Sequence, residues 1–283
     1  VNRYGQMMAK KSVRDALRLD EVDLSTLDPA GRPIGPKSKK EAADDLVASG
    51  AELDGLQEAL YAENSRAVLL VLQGMDTSGK GGVVRHVMGL VNPQGVRIAS
   101  FKKPTAAELR HHYLWRVRKA LPEKGRLGAF DRSHYEDVLV PKVERLITAA
   151  ELRTRYKEIN TFEQELAESG IRLIKCFLHI SPEVQKERLL ARLDDPRKNW
   201  KYNPADIDVR SKWSKYQDAY TQALKNCRDT PWYAIPSDRK WYRNWAVSRL
   251  LLETLREMDP KFPPPAYDLE AEKARLVNND PLR

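Results

Sequence analysis

Cysteine is nearly absent from the 283 residues: Cys176 lies inside an apolar run and Cys227 near a helix end. Neither spacing suits a metal site or a disulfide framework, which excludes a disulfide-stapled scaffold and fits a reducing compartment. Long hydrophobic runs are missing as well. No stretch approaches the roughly 20 apolar residues that span a bilayer, and VNRYGQMMAKKSVRD at the N-terminus has no apolar core of signal-peptide length. A cytoplasmic protein with no membrane partner is the expectation. The histidines, His86, His111, His112, His134 and His179, are scattered without metal-ligand spacing. Basic stripes interleaved with aromatics are also lacking. KWSKYQDAY and RKWYRNW contain the ingredients of a single-strand groove, but their aromatic spacing suits helix packing, so no nucleic-acid partner is expected. With neither repeats nor a dividing linker, the chain reads as one domain with two arms.

What is present is charge and a regular rhythm. Forty-nine Lys and Arg against 40 Asp and Glu leave a net charge of +9, which favours a polyanionic partner. Hydrophobic residues make up 41%, enough for a substantial core. Short apolar runs at 67–73, 96–101, 126–131, 171–180 and 231–236 read as parallel strands covered on both faces. Amphipathic stretches at 38–64, 81–91, 105–120, 140–168, 182–194, 204–227 and 240–258 read as helices. The pattern predicts an α/β fold with a five-stranded parallel sheet flanked by helices. Residues 1–37 read as an irregular arm, 38–259 as the domain, with a helical lid at about 182–213, and 260–283 as a second arm.

The strand AVLLVLQ runs directly into GMDTSGKGG and then into the helix-like VVRHVMGLV. Strand, glycine-rich loop and helix in that order let backbone N–H groups converge on an anion at the helix N-terminus. Gly74, Gly79, Lys80 and Gly81 are therefore candidate phosphate-binding residues, with Lys80 reaching a phosphate. The usual hydroxyl after the lysine is replaced by Gly81, and an acid, Asp76, stands inside the loop. Asp76 supplies the hard oxygen ligand that Gly81 cannot, which implies a divalent cation; the alternative is that Asp76 merely caps the following helix. A second acid-terminated strand, RLGAFD, ends in Asp131 and continues as RSHYEDVLV. Asp131 is the candidate second metal ligand, Arg132 a transition-state cation, and Glu136 and Asp137 candidate nucleotide contacts at the same sheet edge.

Further cations complete the set. Arg188 and Arg192 stand at i and i+4, hence on one helix face, followed by Arg197, Lys198 and Lys201. Positioned guanidinium groups stabilise the charge spread over a transferring phosphoryl group; the alternative is a solvated face paired to Glu183 or Glu187. Arg192 is the candidate catalytic cation, and Arg188 and Lys198 candidate phosphate ligands. Lys102 and Lys103 follow the second strand and could track an extended phosphate chain, and Arg116 on the next helix is a candidate nucleotide contact.

Together, GMDTSGKGG, FDRSHYEDVLV, FKKPT before a helix ending in YLWR, and IPSDRKWYRNWAV resemble the second family of polyphosphate kinases over about Tyr61 to Met258. The resemblance implies a three-layer P-loop kinase-like fold, similar in core to thymidylate kinase. It also implies phosphoryl transfer between inorganic polyphosphate and nucleoside mono- or diphosphates with magnesium, or manganese in its place. Asp76, Lys80, Asp131, Arg132 and a lid arginine match the family's functional positions. HHYLWR carries His112 where the family often has an acid, as in HDFLWR, which separates this segment from the family pattern. An ATP-dependent kinase of a nucleotide or other small molecule is the alternative. The arms and the Trp-rich last helix suggest a homo-oligomer, a dimer or tetramer.

Overall fold

A computed structural model describes residues 12–282. Its five strands, β1 (Ala67–Gln73), β2 (Val96–Ser100), β3 (Leu127–Asp131), β4 (Ile171–His179) and β5 (Trp232–Pro236), form one parallel sheet in the order β2-β3-β1-β4-β5. All of β1 is buried. Because side chains alternate across a strand, its residues divide between two cores. Val68, Leu70 and Leu72 join Ile174, Cys176 and Leu178 on one face, while Leu69 and Val71 join Phe130, Leu173 and Phe177 on the other.

The helices are α1 (Val13–Leu17), α2 (Lys39–Glu63), α3 (Lys80–Val87), α4 (Leu114–Ala120), α5 (Glu136–Val143), α6 (Ala149–Glu168), α7 (Pro182–Leu193), α8 (Ala205–Ser211), α9 (Trp213–Asn226), α10 (Lys240–Met258) and α11 (Leu269–Asn278). Leu17 of α1, Leu60 of α2, Val83 of α3 and Leu250 of α10 cover the first core. Val117 of α4, Val138 of α5, Phe162 of α6 and Tyr220 of α9 cover the second. The result is a three-layer helix, sheet, helix arrangement. The chain leaves β1 toward β2 on one side, returns to β3 and then crosses to β4 on the other. Connections that depart in opposite directions open a crevice at the carboxyl edge beside β1.

Three expected helices are interrupted. The stretch 140–168 divides between α5 and α6, because Arg145 is left-handed (φ 55°) and Thr148 opens α6 with a full capping box to Glu151. The stretch 105–120 contracts to one 3-10 turn at Glu108–Arg110 and α4, with His111 extended between them. The stretch 204–227 divides at Lys212, whose ammonium pairs Glu144 at 2.6 Å.

The arms also have local order. Residues 1–11 of the first arm, and Arg283, lie outside the described residues. Within the rest of that arm, α1 is fixed to α10: the Glu253 carboxylate accepts the N–H groups of Val13 at 2.9 Å and Arg14 at 3.0 Å. The second arm carries α11, all of whose residues lie on the surface. Among the described residues, no helix is long and apolar enough to cross a membrane.

Candidate active site

The glycine-rich loop, residues 74–79, joins the end of β1 to the first turn of α3, and Leu72 of β1 stands beside Asp131 of β3 in register. The two acid-bearing segments thus leave the sheet side by side. Asp131 reaches the first turn of α3, just after the loop: a Cβ built on Gly81 would lie 3.5 Å from its Oδ2. Arg132 follows in the left-handed region (φ 65°), a conformation that a non-glycine residue adopts at a cost and that concentrates at functional sites. Its N–H donates to Leu72 O at 3.1 Å, while its Nη2 donates to Asp76 Oδ1 at 2.8 Å. The left-handed turn is what sends the side chain back over the loop.

Electrostatics bring the same groups together. Burial resists ionisation of Asp76, but the charges of Lys80 and Arg132 outweigh it and hold the carboxyl below its ordinary value. Lys80 is buried, and its Nζ donates to Gly74 O at 2.8 Å and Met75 O at 3.3 Å. Burial and then the charge of Arg132 push its ammonium down, against the pull of Asp76, Asp131 and Glu136. Burial also opposes the charge on Arg132, yet Glu136, Asp76 and Asp131 raise it overall. Glu136 itself is pushed up by burial, against Arg132 and Lys80. Three acids and two cations therefore share one field at the loop. The helix-cap alternative for Asp76 is not realised: the N-cap of α3 is Gly79, without a side-chain cap.

Among the described residues, no group of three or more His, Cys, Asp or Glu side chains forms a ready metal cage. Two carboxylates facing a cationic loop suit a hard cation that completes its shell with phosphate oxygens and water. Thr77 Oγ1 and Ser78 Oγ are buried here without hydrogen-bond partners among the described residues, unsatisfied polar atoms packed within the loop itself.

A cleft of about 1220 Å³ opens in front, lined among others by Asp76, Lys102, Lys103, Arg116, Glu136 and Asp137. Lys102 and Lys103 are exposed. Arg116 pairs with Asp137 at 3.1 Å and donates to Lys102 O at 2.8 Å, while burial pushes the Asp137 carboxyl up against the pull of Arg116. Arg192 pairs with Asp206 at 3.2 Å and donates to Lys201 O at 2.9 Å; its charge also helps lower Asp76. Lys198 is engaged by Asp195 at 2.7 Å. Arg188 faces main chain, donating to the carbonyls of Thr77, Ser78, Ser237 and Asp238 at 2.7–3.3 Å.

Several site residues escaped sequence reasoning. Gln185 is fully buried, donates to Asp76 O at 3.1 Å and accepts from Arg210 at 2.8 Å; no local pattern marks it. Tyr216 and Tyr220 stand at i and i+4 on α9 and line the cleft, and burial pushes Tyr216 up to about 12. Arg243, within the IPSDRKWYRNWAV motif, sits directly behind the loop.

A parallel sheet, a phosphate loop at its carboxyl edge and an acid-terminated neighbouring strand define a P-loop kinase. The model of the polyphosphate kinase 2 family matches residues 36–263, and the chain belongs to that family. It is 45% identical over 245 residues to the AMP/ADP-polyphosphate phosphotransferase of Meiothermus ruber, covering 86% of this chain and 92% of that protein. It is 43% identical over 239 residues to the ADP-polyphosphate phosphotransferase of Rhodopseudomonas palustris, covering 79% of this chain and 83% of that protein. The crystal structure of polyphosphate kinase 2 from Arthrobacter aurescens TC1 superposes with a TM-score of 0.92 at 43% identity, covering 95% of this chain and 98% of that one.

Proposed function

We propose that the protein transfers phosphoryl groups reversibly between inorganic polyphosphate and nucleoside mono- or diphosphates, with ADP and ATP as the leading pair. The observation that carries this reading is the meeting of Asp76, Asp131 and Arg132 around Lys80, in a loop that lacks the usual hydroxyl. The names of the relatives from Meiothermus ruber and Rhodopseudomonas palustris support the same donor and acceptor classes.

Asp76 and Asp131 would hold a magnesium ion, with manganese as a chemically similar alternative. Bound there, the ion neutralises and orients phosphate oxygens. Lys80 and the loop N–H groups hold one side of the phosphoryl group, and Arg132 and Arg192 stabilise the charge on the other. The nucleotide's terminal phosphate oxygen forms the new P–O bond as the terminal P–O–P bridge of the polyphosphate breaks. The shortened chain departs as an ionised phosphate end. Since the attacking oxygen is already ionised, no general base is needed, in keeping with a site whose acids are turned toward cations.

Purified protein given ADP or AMP with magnesium should form the next higher phosphate only when polyphosphate is supplied. Asp76→Asn should lower that rate about 10²–10³-fold. Transfer from ATP without polyphosphate would support an ATP-dependent kinase instead, and full activity in Asp76→Asn would remove its carboxylate from the metal site.

A further inference from the structure

Behind the phosphate loop lie two arginines whose surroundings are unlike those of Arg132. Arg243 is 3% exposed. Its Nη1 donates to Ser78 O at 3.1 Å, and its Nη2 and Nε donate to Asn244 Oδ1 at 2.8 and 3.2 Å. Arg188 approaches from α7, giving Nη1 to Thr77 O at 2.9 Å and Ser78 O at 3.3 Å, and Nη2 to Ser237 O at 2.7 Å and Asp238 O at 2.8 Å. Both guanidinium groups meet at the Ser78 carbonyl.

Among the described residues, no acid offsets the burial of Arg243. Desolvation and the charge of Arg188 push it down to about 10. Arg188 is half-buried and partly offset by Asp238 and Glu187, so the uncompensated charge is that of Arg243, whose burial opposes folding and is a poor device for stability alone. Arg188 gives its Nη donors to main-chain carbonyls, and Arg243 divides its donors between the Ser78 carbonyl and the Asn244 side chain, so in this loop conformation both guanidinium groups are held by protein.

We infer that Arg188 and Arg243 are positioning residues that fix the backbone of the phosphate loop from behind. The inference rests on the proposed phosphoryl transfer at this loop. In a planar trans peptide the C=O and the following N–H point in opposite directions. Holding the Ser78 carbonyl to the rear therefore turns the Gly79 N–H to the front, where an anion would sit. Gly79 is left-handed (φ 106°), and a Cβ there would meet Arg243 Nη1 at 1.7 Å. A Cβ on Gly82 would meet Arg243 Nη2 at 2.8 Å. The last glycine of GMDTSGKGG is thus explained by the guanidinium packed against it. The positive charge behind the loop adds to the potential that a polyanion meets in front.

The test separates a brace from a ligand. Arg243→Ala and Arg188→Ala should each lower kcat by about 30-fold or more, with the KM for polyphosphate changed less than about threefold, because amides aligned on the transferring group act in the transition state. Arg243→Lys should recover part of that kcat, since an ammonium can still reach Ser78 O but lacks the planar fork. A size swap gives a second readout. Gly82→Ala should lower both kcat and the melting temperature in the wild-type background, and should cost neither in the Arg243→Ala background, where the Cβ has room. A KM for polyphosphate raised tenfold or more at unchanged kcat would make these arginines substrate ligands and overturn the inference. So would additive effects of Gly82→Ala and Arg243→Ala. If the wild type transfers nothing from polyphosphate, the functional reading falls, while the melting-temperature cycle still decides whether Arg243 packs against the loop glycines.

Discussion

Lys175 and Glu163 show how a single pair of side chains can support the site without entering it. Both are fully buried and 2.6 Å apart; Lys175 also donates to Tyr135 Oη at 3.1 Å and Cys227 O at 2.8 Å, and Glu163 accepts from Tyr135 at 2.7 Å. Tyr135 and His134, whose Nε2 lies 3.3 Å from Glu163, belong to the segment that carries Asp131, Arg132 and Glu136. Breaking such a pair leaves an uncompensated charge in the core, so Lys175→Met should destabilise the protein by about 3–5 kcal/mol at neutral pH, read by urea denaturation. The pH dependence has a defined sign. Burial alone would raise the Glu163 carboxyl, but Lys175 and His134 outweigh it and hold it below its ordinary value of 4.5. A depressed acid contributes stability that is complete above its unfolded value and is lost as pH falls through the folded one. Without Lys175, burial acts unopposed by the ammonium and the carboxyl should titrate above 4.5. The deficit of Lys175→Met relative to wild type should therefore narrow on acidification; a deficit that widens there would show that the pair is not the source of the loss.

At the scale of elements, what the sequence discloses follows from what its local forces can encode. The strands are legible because β1 and most of β3, β4 and β5 are buried on both faces, so each must be a continuous apolar run. The loop is legible because its glycines, Lys80 and Asp76 lie within nine residues, between a strand and a helix. Helix interruptions are harder to see, since α5 and α6 share amphipathic character across their break. One signal was present all the same: Thr148 and Glu151 have capping-box spacing, and the structure forms both reciprocal bonds, with Thr148 N to Glu151 Oε2 at 2.7 Å and Glu151 N to Thr148 Oγ1 at 3.2 Å. Thr148→Ala should cost about 1 kcal/mol of stability in denaturant unfolding, and Thr148→Ser much less; equal losses would attribute the effect to the methyl group rather than to the cap. The roles of individual arginines were least legible. Arg188, Arg192 and Arg243 have identical side chains, and what distinguishes them is tertiary: main-chain carbonyls around Arg188, Asp206 beside Arg192, and loop glycines against Arg243. No sequence period records which way a carbonyl from a distant turn will point.

For the whole molecule, the question is how a net charge of +9 acts on a substrate longer than its reactive end. Of the cations at the loop Lys80 is buried and Arg132 half-buried, and three acids compensate them, so the reacting phosphates meet a field that solvent ions screen less than at an open surface. Lys102 and Lys103 instead stand exposed along the cleft, where a chain extending beyond the loop would pass within reach of solvent-screened charge. Raising monovalent salt from roughly 50 to 500 mM shortens the screening length from more than 10 Å to about 4 Å. The KM for long-chain polyphosphate should then rise by about tenfold or more, as expected when an extended polyanion is held by several cations. The KM for tripolyphosphate, which spans little more than the loop, should rise by less than about threefold over the same range. Steady-state rates with the two donors at matched phosphate concentration measure the difference directly. Replacing Lys102 and Lys103 together with alanine should flatten the long-chain salt response and leave the tripolyphosphate response unchanged, because only the longer donor extends past the cations at the loop. An equal salt response for both donors would mean that the molecule's positive charge acts at the loop alone.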